Sequence, residues 1–264
     1  MLNPNKEWGA SVSEVYRNPK YYEIAFSFRD IPAEVDVFEA LIKQYSRIPV
    51  SRVLELGCGP APHLAELARR GYTYVGLDLS RPMLAYAQQK ADSLQVSARF
   101  HVASMLDFRL DESVDFAFIL LGSLYARNAT ELLSHFDAVG RALKRGGLYL
   151  LDWCVQFAPP AARTESWEMV KDEITVKTTY QVKPINPVEQ TVEEIIIQEV
   201  EDAGAQAVLR EVLVRRDIYP QEFLLLMASR SDFEFVGWWN NWDLTQPLNG
   251  TQTINRPIIV VRKV

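Results

Sequence analysis

The sequence predicts an α/β fold: a seven-stranded, mostly parallel sheet with helices on both faces, plus an inserted antiparallel β meander. Three observations lead to it. Five short apolar runs between residues 52 and 152 alternate with stretches of helical period, the pattern that produces βαβ units. Between residues 174 and 218 the period becomes two, the mark of half-buried antiparallel strands. A helical stretch and two further β-like runs close the chain and bring the main sheet to seven strands.

The elements follow in order. Residues 1–32 are polar and aromatic, with Trp8, Tyr16, Tyr21, Tyr22, Phe26 and Phe28, and are read as a lid segment. Val35, Phe38, Leu41, Ile42 and Tyr45 recur at helical spacing and predict a helix over 33–45. Residues 52–56 form a β-type run that ends in Gly57-Cys58-Gly59, a helical stretch covers 62–70, and a second apolar run, 73–77, ends at Asp78. Ser80 caps the next helix, with Pro82 in its first turn and Leu84, Ala87 and Ala91 on one face. Strands are predicted at 98–102 and 114–120. The helix at 131–144 takes Thr130 as its N-cap and stops at Gly146-Gly147, before a strand at 148–152. Residues 33–155 thus form the parallel core.

In the meander, Ile174, Val176, Thr178, Tyr180 and Val182 alternate with polar neighbours, and two more β-like stretches follow at 191–201 and 207–218. Three strands are expected, within an inserted cap spanning 156–219. A helix from Pro220 to about Ala228 and strands at 233–238 and 258–261 complete the core, so residues 220–264 belong with residues 33–155 in one domain.

Composition narrows the function. The 264 residues carry a formal charge of −6, 48% are hydrophobic, and there are only two cysteines and three histidines. Such a chain has ample core material and no basic stripe for nucleic acid. It contains no apolar run of membrane-spanning length, and residues 1–10 lack a signal-peptide core; a cytoplasmic location is expected. Cys58 and Cys154 cannot make a disulfide framework, and with His63, His101 and His135 they show no metal-ligand spacing, so no metal is expected. The histidines are read as surface or structural residues, and Cys58 as a small residue of the loop.

The strand-loop-helix segment from Val53 to Pro62 carries the chemistry. Gly57 and Gly59 permit a sharp turn and close approach of a ligand, and Asp78 at the end of the next strand is placed to accept hydrogen bonds from ribose hydroxyls. A dinucleotide pyrophosphate would need free N–H groups at this turn. Pro60 and Pro62 remove two donors, and Glu55 adds a negative charge that repels phosphate. S-adenosylmethionine has no phosphate but carries an ammonium and a sulfonium, which a neighbouring carboxylate favours.

Glu55-x-Gly57-x-Gly59, followed by Gly76-Leu77-Asp78-Leu79-Ser80-x-x-Met83-Leu84, resembles the class I S-adenosylmethionine-dependent methyltransferases. The likeness continues through Ala103-Ser104-Met105-Leu106-Asp107-Phe108, Val114-Asp115-Phe116 and Leu143-Lys144-Arg145-Gly146-Gly147-Leu148, over roughly residues 33–155. It implies a Rossmann-like sheet with S-adenosyl-L-methionine as cofactor and S-adenosyl-L-homocysteine as product. It also implies that Glu55, Gly57, Cys58 and Gly59 line the methionine part, Asp78 holds the ribose, and Leu79 and Met83 flank the adenine. Ser104 and Met105 would meet the adenine edge, and Leu120 and Leu121 would border the sulfonium. Two positions depart from the common pattern: Ala61 replaces a third glycine, and Ser104 replaces an acid.

Outside the motif, Tyr16, Tyr21, Tyr22 and Phe26 suit a lid over a cation, and Arg29 is placed to pair with the cofactor carboxylate. The Trp238-Trp239-Asn240-Asn241-Trp242 run is either packing or part of an acceptor pocket. Methyl transfer needs mainly positioning and exclusion of water; a hydroxyl acceptor needs a base as well, for which Tyr22, Tyr125, Asp152 and Asp243 are the candidates. No histidine is suited to that task, which favours an amine. Residues 165–202 carry ten acids against three lysines, a local −7, so the cap suits a small cationic acceptor. A meander in this position also resembles the small-molecule N-methyltransferases. The inserted sheet offers a surface for a homodimer. A non-catalytic cofactor-binding module and a nicotinamide-dependent oxidoreductase are the alternatives.

Overall fold

The computed structural model describes residues 14–158, 161–250 and 253–264. Trp8 lies outside them. The main sheet contains β1 (Arg52–Leu56), β2 (Thr73–Asp78), β3 (Ala98–Val102), β4 (Val114–Ile119) and β5 (Leu143–Asp152), together with two strands from the end of the chain. Every residue of β4 is buried, as expected of a central strand covered on both faces.

Helices clothe the two faces. On one side α2 (Ile31–Tyr45), α3 (Leu64–Arg69) and α4 (Arg81–Leu94) bury Phe38, Leu41, Leu67 and Ala87 against Phe116, Phe118 and Leu150. On the other, α5 (Ala129–Ala142) and α6 (Pro220–Ser229) bury Phe136, Val139 and Phe223 against Tyr149, Ile259 and Val261. Each fully buried side chain of this kind contributes about 1.5–3 kcal/mol.

The inserted sheet has β6 (Arg163–Lys171), β7 (Ile174–Asn186), β8 (Thr191–Asp202) and β9 (Ala205–Arg216), all antiparallel in that order. It therefore has four strands, not the three expected. The alternation of β6 is masked by its charges: Glu165 and Glu168 sit on an edge strand that buries no residue fully. The last strands, β10 (Phe233–Trp239) and β11 (Ile258–Lys263), complete the main sheet in the order β10-β11-β5-β4-β1-β2-β3, with β11 alone running against the direction of the other six. Strand order reverses between β1 and β4, so a crevice opens at their carboxyl ends.

Local capping accounts for several shifted boundaries. α2 starts at Ile31 because the Asp30 side chain accepts from Ala33 N and Pro32 occupies the first turn. Asn128, not Thr130, caps α5 by accepting from Glu131 N. That helix ends at Ala142, and β5 runs through Gly146-Gly147, so these glycines lie within the strand instead of stopping the helix. Gly147 is needed there, since a Cβ would lie 2.4 Å from Asp115 O.

The lid segment has structure of its own: a 3-10 turn (Val15–Arg17) and a short helix, α1 (Pro19–Ala25). Ile24 and Ala25 pack on Ile174, Val176 and Val200 of the inserted sheet, while Tyr22 and Phe26 face the glycine loop.

Candidate functional site

The loop after β1 is built by left-handed backbone: Gly57, Gly59 and Ala61 have φ of 63°, 51° and 50°. Glycine takes this conformation freely, whereas alanine incurs about 1 kcal/mol of strain. Ala61 thus preserves the geometry of a third glycine at a small cost. The loop's amides are already engaged. Cys58 N donates to Leu77 O at 3.0 Å, Gly59 N to Asp78 Oδ2 at 2.8 Å and Ala61 N to Cys58 O at 2.9 Å. Pro60 and Pro62 have no N–H, so little is left to cradle a phosphate.

Asp78 fastens this loop to α4, because its other oxygen accepts from Ser80 N at 2.7 Å. Burial raises its carboxyl pKa above the usual range, against the lowering effect of those two amides. Leu79 beside it is exposed, whereas Met83 is buried in the first turn of α4.

Beneath the loop runs a buried chain of charges. Glu55 accepts from Tyr74 OH at 2.5 Å and faces His63 Nδ1 at 3.0 Å; His63 Nε2 lies 2.9 Å from Glu34 Oε2. Glu34 pairs with Arg29 and is also approached by Arg256 at 3.3 Å. Arg256 forks onto Asp152, with Nη2 to Oδ2 at 2.7 Å and Nε to Oδ1 at 3.0 Å. Asp152 further accepts from Trp242 Nε1 at 3.0 Å and Leu121 N at 2.9 Å. Glu34 is held down to about pH 2, because hydrogen bonds from His63 and Arg29 outweigh the cost of burial.

This chain fixes the far wall. Leu121 has φ of 55° and is followed by Gly122 at 66°, two left-handed residues in succession, tied by amide hydrogen bonds to Asp152. Such strain persists only where the surroundings enforce it. On the near side, Ser104 closes a tight bridge to Asp107, and the Met105 carbonyl accepts from His135 Nδ1 at 2.9 Å. A Cβ on Gly57 would lie 3.2 Å from Met105 Cε, so that side chain reaches the glycine loop.

The lid closes over these groups. Ser80 Oγ donates to Tyr16 O at 2.7 Å, and Glu23 accepts from Tyr86 OH at 2.8 Å and pairs with Lys90, which also donates to Pro60 O at 2.9 Å. The cleft bounded by Tyr22, Phe26, Arg29, Glu55, Gly57 and Leu121 has a volume of about 50 Å³. A larger cavity of about 600 Å³ lies between the β7–β8 turn and the segment after β5, away from the glycine loop. On the cap side, Tyr125 OH and Tyr180 OH donate to the two oxygens of Glu194 at 3.1 and 2.6 Å, and Arg215 Nε donates to it at 2.6 Å.

The structure therefore gathers Tyr22, Arg29, Glu55, Gly57, Cys58, Gly59, Leu120 and Leu121 around one cleft, with Asp78 bonded to its loop. Two base candidates are occupied: Asp152 meets Arg256, Trp242 and Leu121, and Tyr125 donates to Glu194. Asp243 is spent on Thr245 and Gln246. The tryptophan run packs, with Trp239 buried against Tyr45 and Trp242 under Arg256. His63 and His135 are wholly buried rather than on the surface. Sequence reasoning missed Glu34 and Arg256. Positions 29, 34, 63, 152 and 256 share no spacing; the one local signal was a lone histidine a few residues after the glycine loop.

Comparison with known proteins agrees with the geometry. Residues 53–147 match a family profile described as a methyltransferase domain. A Geobacillus sp. (strain WCH70) protein named as a candidate methyltransferase is 37% identical over 112 residues, covering 42% of this chain and 45% of that protein. A Bacillus subtilis (strain 168) protein of similar name, YqeM, is 35% identical over 103 residues, covering 38% and 41% respectively. The chain matches less than half the length of these curated relatives. Among solved structures, DesVI of Streptomyces venezuelae superposes with a TM-score of 0.75 at 17% identity, over 96% of this chain and 100% of that one. The sugar N-methyltransferase KedS8 from a Streptoalloteichus species gives 0.70 at 21% identity, over 99% and 98%. An S-adenosylmethionine-dependent methyltransferase from Clostridium acetobutylicum gives 0.73 at 16% identity, over 92% and 96%. At these identities the likeness is one of fold.

Proposed function

We propose that this chain, whose residues 53–147 form a methyltransferase domain, transfers a methyl group from S-adenosylmethionine to a small-molecule amine. The observation that carries the cofactor reading is the state of the glycine loop. The Cys58, Gly59 and Ala61 amides are bonded within the protein, two of its positions are prolines, the carboxylates Glu55 and Asp78 lie beside it, and the nearby cations Arg29 and Lys90 are paired with Glu34 and Glu23. A pyrophosphate finds few free backbone donors there, while a phosphate-free, cationic nucleoside meets a carboxylate suited to its ribose and rings suited to its charge.

S-adenosylmethionine supplies an electrophilic methyl group carried on sulfonium. The chain's own part is to bind, orient and exclude water. Asp78 would hold the ribose hydroxyls; Arg29, the carboxylate end; Leu79 and Met83, the adenine faces; Ser104 and Met105, the adenine edge. The Leu121–Gly122 turn forms a wall fixed by Asp152, and Tyr22 and Phe26 shut out solvent. Burial and nearby Asp78 push the Tyr22 hydroxyl up to about 12, so it stays protonated at neutral pH.

The occupied state of the base candidates supports an amine acceptor. A neutral amine attacks through its own lone pair, and an amine that arrives as ammonium needs only to lose one proton to water first, whereas a hydroxyl needs a base as it attacks. The sugar N-methyltransferase among the fold's neighbours is consistent with this reading.

Titration calorimetry with S-adenosylhomocysteine tests the cofactor, with Asp78→Ala as the control. The wild-type chain should bind and the variant at least tenfold more weakly, the loss of one charge-assisted hydrogen bond. Binding of NADH without binding of S-adenosylhomocysteine would sink the proposal. Catalysis is tested by mass spectrometry of amines incubated with the chain and labelled S-adenosylmethionine, which should gain one labelled methyl group.

A further inference from the structure

The inner face of the inserted sheet holds polar groups that find no partner among the described residues. Thr178 and Gln198 lie directly opposite each other on β7 and β8, and both are wholly buried. Among the described residues, neither Thr178 Oγ1 nor Gln198 Nε2 and Oε1 has a hydrogen-bond partner. Alternation along the strands puts them on the same face as Val176, Tyr180, Glu194 and Val200, the face covered by α1 and by the Tyr125 loop of the core. A buried polar group with no partner costs about 1–3 kcal/mol, so three such atoms in one cross-strand pair call for an occupant.

The surroundings define that occupant's chemistry. Among the described residues, the same face carries the buried carboxylates Glu194 and Glu211, with Asp217 at its end, and the buried cation Arg215, which pairs with Glu194 and Asp217. At the edge strand Arg163 faces its own counterion, Glu165, at 3.5 Å. Burial is the main cause that raises the pKa of the Tyr16 hydroxyl, and the charges of Glu211 and Glu194 act in the same direction. The face therefore favours a cation, as the Arg163 guanidinium over the Tyr180 ring at 5.9 Å already illustrates. Gln198 offers a donor and an acceptor, and Thr178 offers either; this pattern matches hydroxyl groups on a ligand.

We propose that this face is the acceptor's recognition surface, and that the acceptor is a hydroxylated amine whose hydroxyls are read by Gln198 and Thr178. The inference rests on the methyltransferase reading of the glycine-loop cleft. The acceptor enters when the lid lifts: α1 covers both the glycine loop and the sheet face, and the present 50 Å³ cleft is far smaller than the roughly 300 Å³ or more of a small-molecule site.

The test uses the full chain with Gln198→Leu and Thr178→Val, probed with D-glucosamine and serinol as hydroxylated amines and cyclohexylamine as the bare amine. Without acceptor, both variants should unfold at the wild-type temperature or above, because they remove unpartnered atoms. Each should bind S-adenosylhomocysteine within twofold of wild type. On the S-adenosylhomocysteine-loaded protein, calorimetry should detect at least one hydroxylated amine, about tenfold weaker in the Gln198 variant, and none of the cyclohexylamine. Variants that unfold many degrees lower mark these residues as structural and overturn the proposal. It is equally overturned if neither hydroxylated amine binds a protein that does bind S-adenosylhomocysteine, or if cyclohexylamine binds as well as they do. A wild-type chain that fails to bind S-adenosylhomocysteine overturns the cofactor reading itself, and the acceptor face with it.

Discussion

His63 Nδ1 lies 3.0 Å from the carboxylate of Glu55, the acid that opens the glycine-loop motif. Its other nitrogen is 2.9 Å from Glu34, the first-turn acid of α2, so one ring joins the cofactor loop to the root of the lid. A neutral imidazole has one N–H and can serve only one of these carboxylates; an imidazolium serves both. Arg29 Nη2 also lies 3.3 Å from Nε2, but it reaches there because it shares Glu34. The charged ring makes the better arrangement. Burial opposes the charge, and the two glutamates outweigh it, so the pKa of His63 is raised above 6.5.

A pH dependence follows. A base whose folded pKa is raised stabilises fully below its unfolded value, and that contribution fades as pH climbs through the folded one. Thermal midpoints should therefore decline from about pH 6.5 upward, the decline being absent in His63→Gln. That variant should itself lose about 3 kcal/mol at pH 6, since two buried carboxylates lose their shared cation. A wild-type profile flat from pH 6 to 9 contradicts a charged His63. On the acid side Glu34, held down to about 2, contributes in full above its ordinary value of 4.5, and that contribution is lost progressively as pH falls from there through about 2.

His135 should titrate in the opposite sense. Its Nδ1 meets Met105 O at 2.9 Å and its Nε2 meets Tyr149 OH at 2.8 Å, a fit for the neutral ring that donates once and accepts once. Burial lowers its pKa to about 4. Protonation therefore favours the unfolded chain, and stability should fall between about pH 6.5 and 4, by about 3 kcal/mol in all. Unfolding in urea at pH 4.5 and 7 measures this. His135→Gln should show a shallower acid limb than wild type.

These two histidines also mark what the sequence could reveal. The succession of strands and helices along the core, the glycine turn and the acid ending β2 were legible, because each is a local pattern: alternation, a missing Cβ, a carboxylate at a strand end. The partners of His63 were not. Glu34, Asp152 and Arg256 meet through a sheet crossover and a loop just before β11, and no periodicity relates positions so far apart. Strand β6 was missed for a different reason. Its charged edge positions hide the alternation that made β7 and β8 plain. The lid helix, a single pair of turns, is too short to show a period at all.

Arg256→Met should act on both stability and cofactor affinity. It strips the forked cation from Asp152, which is wholly buried, and leaves that carboxylate with Trp242 and Leu121 as partners. Breaking a buried pair in this way costs about 3 kcal/mol, a fall of roughly 6–12 °C in midpoint for a chain of this size. Lysine should rescue little, since it cannot fork onto the carboxylate. Affinity for S-adenosylhomocysteine should drop as well, because Asp152 holds the left-handed Leu121 in place. An unchanged midpoint would show that the pair contributes nothing net.

The lid offers a test by dynamics. Trp167 Nε1 donates to Ala25 O, the last carbonyl of α1, at 2.7 Å, and its ring packs edge-on to Phe26 and Phe28 at 5.6 and 6.1 Å. Trp167→Phe keeps an aromatic ring beside those neighbours but removes the donor. One neutral hydrogen bond is worth about 1 kcal/mol, so opening of α1 should become about fivefold more frequent. Hydrogen exchange should report this at the amides of Phe26 and Ser27, which bond to Tyr22 O and Ile24 O, while amides of the buried strand β4 remain as slow as in wild type. Faster exchange at both places would mean global destabilisation, and the lid would then not be an independent unit. Because the same helix covers Tyr22's side of the glycine loop and the Gln198 face, selective opening should also speed association of S-adenosylhomocysteine without changing the contacts it finds once bound.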